Sequence, residues 1–156
     1  MWFLCKVSYY RQQEDGTYKK QVENYLLDAI NFSEAESRVF EEVGGGLENF
    51  TVMSVTKSNI HEVFRYTDSE IWYKCKVQYT SVDESKGKEK QITETIILTA
   101  VDLRQANDRL TEKLRGMQVP YELIEISKSP ILEVFPFKSA EERVRPGLKP
   151  LSETEA

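Results

Sequence analysis

The chain has 156 residues, with 21 basic and 26 acidic side chains and a formal net charge of −5. That length fits one ordinary domain or two very small ones, and 40% apolar with 11% aromatic residues excludes a wholly disordered polymer. No apolar run reaches the ~18 residues that a membrane span needs, and the segment Met1 to Lys6 has neither a basic leader nor a long apolar stretch. The expectation is a soluble cytoplasmic protein whose two cysteines stay reduced.

The predicted elements begin with a strand. Phe3, Cys5, Val7 and Tyr9 recur at every second position, the period of a half-buried strand. Cys5 therefore falls on the core face, and Trp2 and Lys6 on the other. Asp15 and Gly16 stand among polar residues, as in a hairpin loop. A second strand is predicted over 19–30, with Tyr25, Leu27 and Ala29 inward. A helix follows, because Asn31 and Glu34 have capping-box spacing, with Ser33 and Glu36 as a competing start. Ala35, Val39 and Val43 give it one buried stripe, and Gly44, Gly45 and Gly46 end it. Residues 50–56 read as a third strand, and 60–64 as a short fourth that closes the unit.

The series then repeats. Trp2, Cys5, Lys6, Val7 and Tyr9 match Trp72, Cys75, Lys76, Val77 and Tyr79 at an offset of 70. From Gly16 and Gly87 onward the offset is 71, which places one extra residue near 80–86. The match runs through Glu23/Glu94, Leu27/Leu98, Ala29/Ala100, Ala35/Ala106 and Arg38/Arg109 to Val63/Val134 and Phe64/Phe135. It totals 20 identities over about 63 positions, and fixed-offset similarity identifies a structural unit. In the second copy Asp102 and Gln105 supply the capping box, and Leu103, Ala106, Leu110 and Leu114 the helical stripe. Strands are predicted over 121–127 and 131–135, the latter at a sheet edge because Pro130 precedes it.

The fold class is therefore α+β, with two tandem ββαβ(β) repeats and mainly antiparallel sheets, each packing one helix. The repeats span 1–64 and 72–137, joined by a connector at 65–71. A unit of about 64 residues buries little surface alone, so the copies are expected to pack about a pseudo-twofold axis as one cooperative body. Residues 138–156 lack periodicity and read as a mobile tail.

The residues Trp2, Phe3, Cys5, Lys6, Val7 and Tyr9, the run Lys19, Lys20, Glu23, Tyr25, Leu26, Asp28, Ala29, Phe32, Glu34, Ala35, Glu36 and Arg38, the second Trp72 to Val77 motif, and the closing Glu133, Val134, Phe135 and Pro136 form a recognisable pattern. It resembles domain-of-unknown-function family 4494, small proteins of gut Bacteroidetes and their phages. The resemblance covers roughly residues 1–138. It implies a cytoplasmic protein without an assigned reaction, and it carries over no catalytic residues.

Chemistry-bearing residues are sparse. His61 is the single histidine, and its counterpart is Leu132, so the position tolerates an apolar side chain. Cys5 and Cys75 lie mid-strand among apolar neighbours and read as buried structural thiols. Two cysteines and one histidine at these spacings match no zinc pattern. Gly44 to Gly46 follow a helix instead of preceding one, which argues against a phosphate loop. Glu23 and Glu94 recur at equivalent positions, as strand-end charges or as a carboxylate pair. No catalytic, cofactor or metal set emerges, so the chain reads as non-catalytic.

The repeated Trp2 with Lys6 and Trp72 with Lys76 lie opposite the cysteines. With Lys74, Lys86 and Lys88 they make the candidate binding face, since aromatic rings and cations can stack bases and neutralise phosphate. Burial of the indoles where the copies meet explains the same repeat. Residues 1–70 carry a net charge of −5, residues 71–138 +1 and the tail −1, a weak basic excess for a nucleic-acid binder. The expected function is a binding or assembly protein that contacts a protein partner, or itself, through sheet edges or an exposed face. The alternative is a nucleic-acid-binding accessory protein of phage or mobile-element origin.

Overall fold

The alternating segment that opens each repeat forms a long strand, β1 (Trp2–Gln12) and β5 (Trp72–Asp83), in a computed structural model that describes residues 1–137 and 153–154. Each turns back antiparallel into β2 (Tyr18–Asp28) or β6 (Lys88–Thr99). The loops reuse one device. Asp15 Oδ1 accepts from the N–H and hydroxyl of Thr17, Asp83 Oδ1 accepts from those of Ser85, and Gly16 and Gly87 supply the positive φ. The extra residue of the second copy lengthens the ladder: Gln12 pairs with Tyr18 at the end of the first, whereas Val82 and Glu89 are followed by one more pair, Asp83 and Lys88.

Helix α1 (Phe32–Val39) starts at Asn31, whose side chain accepts from the Glu34 N–H at 2.9 Å. Helix α2 (Leu103–Leu114) starts at Asp102, which accepts from the Gln105 N–H at 2.8 Å. Each return bond reaches the residue before the cap, from the Ile30 N–H to Glu34 and from the Val101 N–H to Gln105. The expected stripe needs two corrections. Leu103 is 54% exposed, because at the first helical position it points away from the sheet. In the first copy the α-helix ends at Val39 and continues as a π-turn, Phe40–Gly44. Gly44 is buried so tightly there that a Cβ would come 2.8 Å from the Phe50 ring.

The remaining strands are β3 (Glu48–Lys57), β4 (Ile60–Tyr66), β7 (Tyr121–Lys128), β8 (Ile131–Phe135) and a two-residue β9 (Glu153–Thr154). The rest of the tail expected over 138–156 lies outside the described residues. The chain divides into two compact units. In the first, strand order is β3-β1-β2-β8, with β8 parallel to β2. In the second it is β7-β5-β6-β4-β9, with β4 parallel to β6.

The short fourth strand therefore does not close its own copy. β4 of the first repeat completes the sheet of the second, and β8 of the second repeat completes the sheet of the first. Chain geometry explains this. Only Ser58 and Asn59 separate β3 from β4, and only Ser129 and Pro130 separate β7 from β8. Both β2 and β3 run antiparallel to β1, so a fourth strand parallel to β2 would also run parallel to β3. Reaching the far side of β2 would mean crossing three strand spacings, ~14 Å, and returning the full length of a strand. Three Cα steps span at most ~11 Å, and parallel connections take a dozen residues or more. A two-residue hairpin back onto β3 or β7 would need positive φ at its first residue. Among the described non-glycine residues only Asn49 has it, and Pro130 holds Ser129 extended. The direct route home is out of reach, and the observed backbone of the two links is not that of a tight hairpin.

The two cores match position by position. Phe3, Cys5, Val7, Tyr25, Leu27, Ala29, Ala35 and Val39 are buried together in the first unit, and Tyr73, Cys75, Val77, Ile96, Leu98, Ala100, Ala106 and Leu110 in the second, with Leu114 added. Register shifts also recur, at Lys6/Val7 and Lys76/Val77. Among the described residues no helix is long and apolar enough to cross a membrane.

Candidate functional site

The residues expected to form one binding face are scattered. Trp72 is 2% exposed and lies under the Arg65 guanidinium, 5.4 Å from its ring centroid, so it offers no open platform for a base. The two tryptophans are not equivalent, since Trp2 is half-buried and Lys6 beside it exposed. Lys74 and Lys76 are half-buried and turn toward β7, where Lys76 Nζ is 3.7 Å from Glu125. The Ser127 hydroxyl, which donates to Glu125, and then these two lysines hold that carboxyl below its usual range. Lys86 and Lys88 are exposed at the hairpin tip. Lys88 pairs with Asp83, seven residues beyond Lys76 along β5, or ~23 Å away. The second unit thus holds two lysine groups, and its tryptophan is covered.

Two arginines that recur at equivalent helical positions are buried. Arg38, 1% exposed, donates through Nη1 to the Asp28 carbonyl at the end of β2 and through Nη2 to the Pro136 carbonyl just after β8 (2.9 Å). Arg109 donates to the Thr99 carbonyl at the end of β6 (2.8 Å) and to Asp68, just after β4, while its guanidinium lies 4.0 Å from the Tyr66 ring centroid. Each helix thereby ties a central strand to the end of the strand received from the other repeat. Burying a guanidinium is tolerated only when its donors are met; backbone carbonyls do so here, with the Asp68 carboxylate on Arg109 and Glu42 3.8 Å from Arg38.

A groove of about 510 Å³ runs along the outer side of α1 and its π-turn, lined by Ser33, Glu36, Ser37, Phe40, Glu41 and Val52. The five helical residues have i, i+3, i+4, i+7, i+8 spacing, so they form one stripe beside the inward Ala35 and Val39. Val52 comes from β3, an edge strand of its sheet. Phe40 is 57% exposed and braced edge-on by Phe50, with ring centroids 5.6 Å apart. The lining contains two carboxylates and no basic side chain. Burial and then the negative charge of Glu36 push the Cys5 thiol below the groove up to about 11.

This arrangement sits within a chain whose residues 1–137 match one family pattern, described as Domain of unknown function (DUF4494). The chain belongs to that family. No curated protein and no solved structure matches it.

Within this DUF4494 fold, the lining of the groove is not repeated in the second copy. The second carries Arg104, Asn107, Asp108, Thr111, Glu112 and Leu123 at the corresponding positions, and Glu112 is paired there with Arg115 at 3.1 Å. A further asymmetry involves His61. Tyr79 donates its hydroxyl to Glu94 at 2.8 Å, and His61 Nε2 lies 3.5 Å from the same carboxylate oxygen. In the first unit Glu23 is hydrogen-bonded by Tyr9, which raises the phenol above its ordinary range, and Leu132 occupies the place equivalent to His61. Both repeated carboxylates are thus held by tyrosines of their own sheets. Sequence reasoning missed the groove because its stripe reads as a solvated face. Phe40, an aromatic with threonine as its counterpart, was the available signal. It also missed the buried arginines, although an identical charged residue one position from a buried stripe marked them.

Proposed function

We propose that the protein is a non-catalytic binding module that takes an extended basic segment of a partner protein into the groove beside α1. The observation that carries this reading is the lining itself: Glu36 and Glu41 flank the exposed ring of Phe40 beside an edge strand. Carboxylates attract Lys and Arg, an aromatic face binds a cation at its centre, and a free edge can pair with an added strand. The net charge of −5 over residues 1–70 favours the same ligand. A non-catalytic role is supported by the chemistry of the thiols, since burial raises Cys5 and Cys75 further from the thiolate form that a nucleophile needs. Free thiols also suit a reducing compartment, so the cytoplasm is the proposed location.

The test titrates labelled peptides of equal length, one Lys/Arg-rich and one Asp/Glu-rich, at ~50 mM salt, where screening is weak. The basic peptide binds, and F40A or the E36Q/E41Q pair weakens binding at least ~10-fold, equivalent to about 1.4 kcal/mol. Equal binding of both peptides, or no effect of these substitutions, contradicts the reading. The nucleic-acid alternative has less support, because Trp72 is covered and Lys76 is engaged by Glu125. Retention of oligonucleotides in the same buffer would favour it.

A further inference from the structure

Neither sheet is complete without a strand from outside its own repeat, and the two donated strands are nearly the same. Ile60, Glu62, Val63 and Phe64 correspond to Ile131, Glu133, Val134 and Phe135, and the strands differ within this stretch only at His61 and Leu132. They dock alike. Asn24 pairs with Ile131 and, after a register shift, Leu26 pairs with Val134; Ile60 pairs with Thr95 and, after the equivalent shift, Val63 pairs with Ile97. Asn24 and Thr95 are equivalent positions of the duplication, as are Leu26 and Ile97. The acceptor edges of β2 and β6 therefore present one docking register to one strand sequence. The side-chain contacts that tell β4 from β8, His61 with Glu94 and Asp68 with Arg109, are the same whether the strand comes from its own chain or from another.

From this degeneracy we infer that the protein's partner at these edges is a second copy of the chain, with β8 or β4 of one molecule completing the β2 or β6 edge of the other. The two-residue links allow it, since a strand that must leave its own repeat in any case makes the same exit whichever acceptor receives it. Identical elements exchanged between molecules form dimers without any new surface. Within one chain the tether gives the acceptor a high local concentration, so exchange between chains becomes competitive when chains fold in crowded company.

The experiment uses full-length chains carrying two different affinity tags. They are unfolded in urea, combined and refolded together at ~1 µM and at ~1 mM, the latter near the local concentration that a short tether provides. In parallel, the two are folded separately and then combined. Mixed-tag dimers, isolated by capture on one tag and then the other and sized by light scattering, should rise at least ~10-fold in fraction with concentration on joint refolding and stay absent when folded chains are combined. A synthetic peptide of residues 129–137, present in excess during refolding, should suppress the dimer and remain bound, whereas a scrambled peptide should do neither. Monomer alone at both concentrations overturns the inference. So do dimers that form equally from folded chains, or dimers that ignore the peptide.

Discussion

The two helices hold equivalent places in the two repeats and differ on their outer sides. α2 continues as regular helix to Leu114, and its outer side carries Arg104, Asn107, Asp108 and Thr111. α1 stops at Val39, turns through a π segment to Gly44 and presents Phe40 between Glu36 and Glu41. Inward, both are alike: a capping side chain, an alanine, a buried arginine and a β-branched or leucine contact recur in place. What stayed constant holds the fold together, and what diverged is where a copy-specific role belongs. The groove is on the diverged side and the arginines are on the constant one.

The strongest way to sharpen that contrast is to damage equivalent core positions. L27A and L98A each remove a fully buried side chain from matching sites. Each should destabilise by about 2–5 kcal/mol in urea unfolding, the range for leucine truncation in a packed core. A large loss from one and almost none from the other would break the equivalence of the units.

The next effect concerns the arginines. R38M and R109M keep the volume of the alkyl chain and leave the carbonyls of Asp28 and Pro136, or of Thr99, without their donors. The expected loss is about 1–3 kcal/mol for each, as for an orphaned buried acceptor. Hydrogen exchange should show the received strand, β8 in one variant and β4 in the other, opening before the hairpin it rests on. Uniform protection of those strands in both variants would contradict the tying role.

A smaller effect comes with alkali. Burial raises the Cys5 thiol to about 11 and the Cys75 thiol to about 12, from an ordinary 9.0. Because the folded state keeps these protons longer than the unfolded one, their stabilising contribution is complete below the unfolded pKa. It falls as pH rises from there toward the folded values. The urea midpoint should therefore drop between pH 8 and pH 10.5, and substituting both cysteines by alanine should flatten that dependence. A midpoint that rises over this interval in the native chain would refute the assignment.

Much of the fold was legible because two periods and a duplication agree. Alternation at Phe3, Cys5 and Val7 and its repeat at Tyr73, Cys75 and Val77 placed the core face, and Asn31 and Asp102 marked the helix starts. The destination of β4 and β8 was not legible from periodicity, since an alternating strand looks the same whichever edge receives it. The two-residue links carried that information, through reach and direction, once β1, β2 and β3 had been ordered. The cover over Trp72 was not legible, because alternation assigns a residue to a side of the sheet without saying whether that side is covered. The groove escaped notice because Ser33, Glu36 and Glu41 are ordinary solvent-facing residues, and nothing in the sequence announced the π-turn that brings Phe40 beside them.

The exchange of fourth strands is the claim on which the account turns, and inter-strand nuclear Overhauser contacts test it most directly. Val134 should show backbone contacts with Leu26, and Val63 with Ile97. Contacts of Val134 with Ile97 and of Val63 with Leu26 would mean that each repeat keeps its own strand, contrary to the pairing described here.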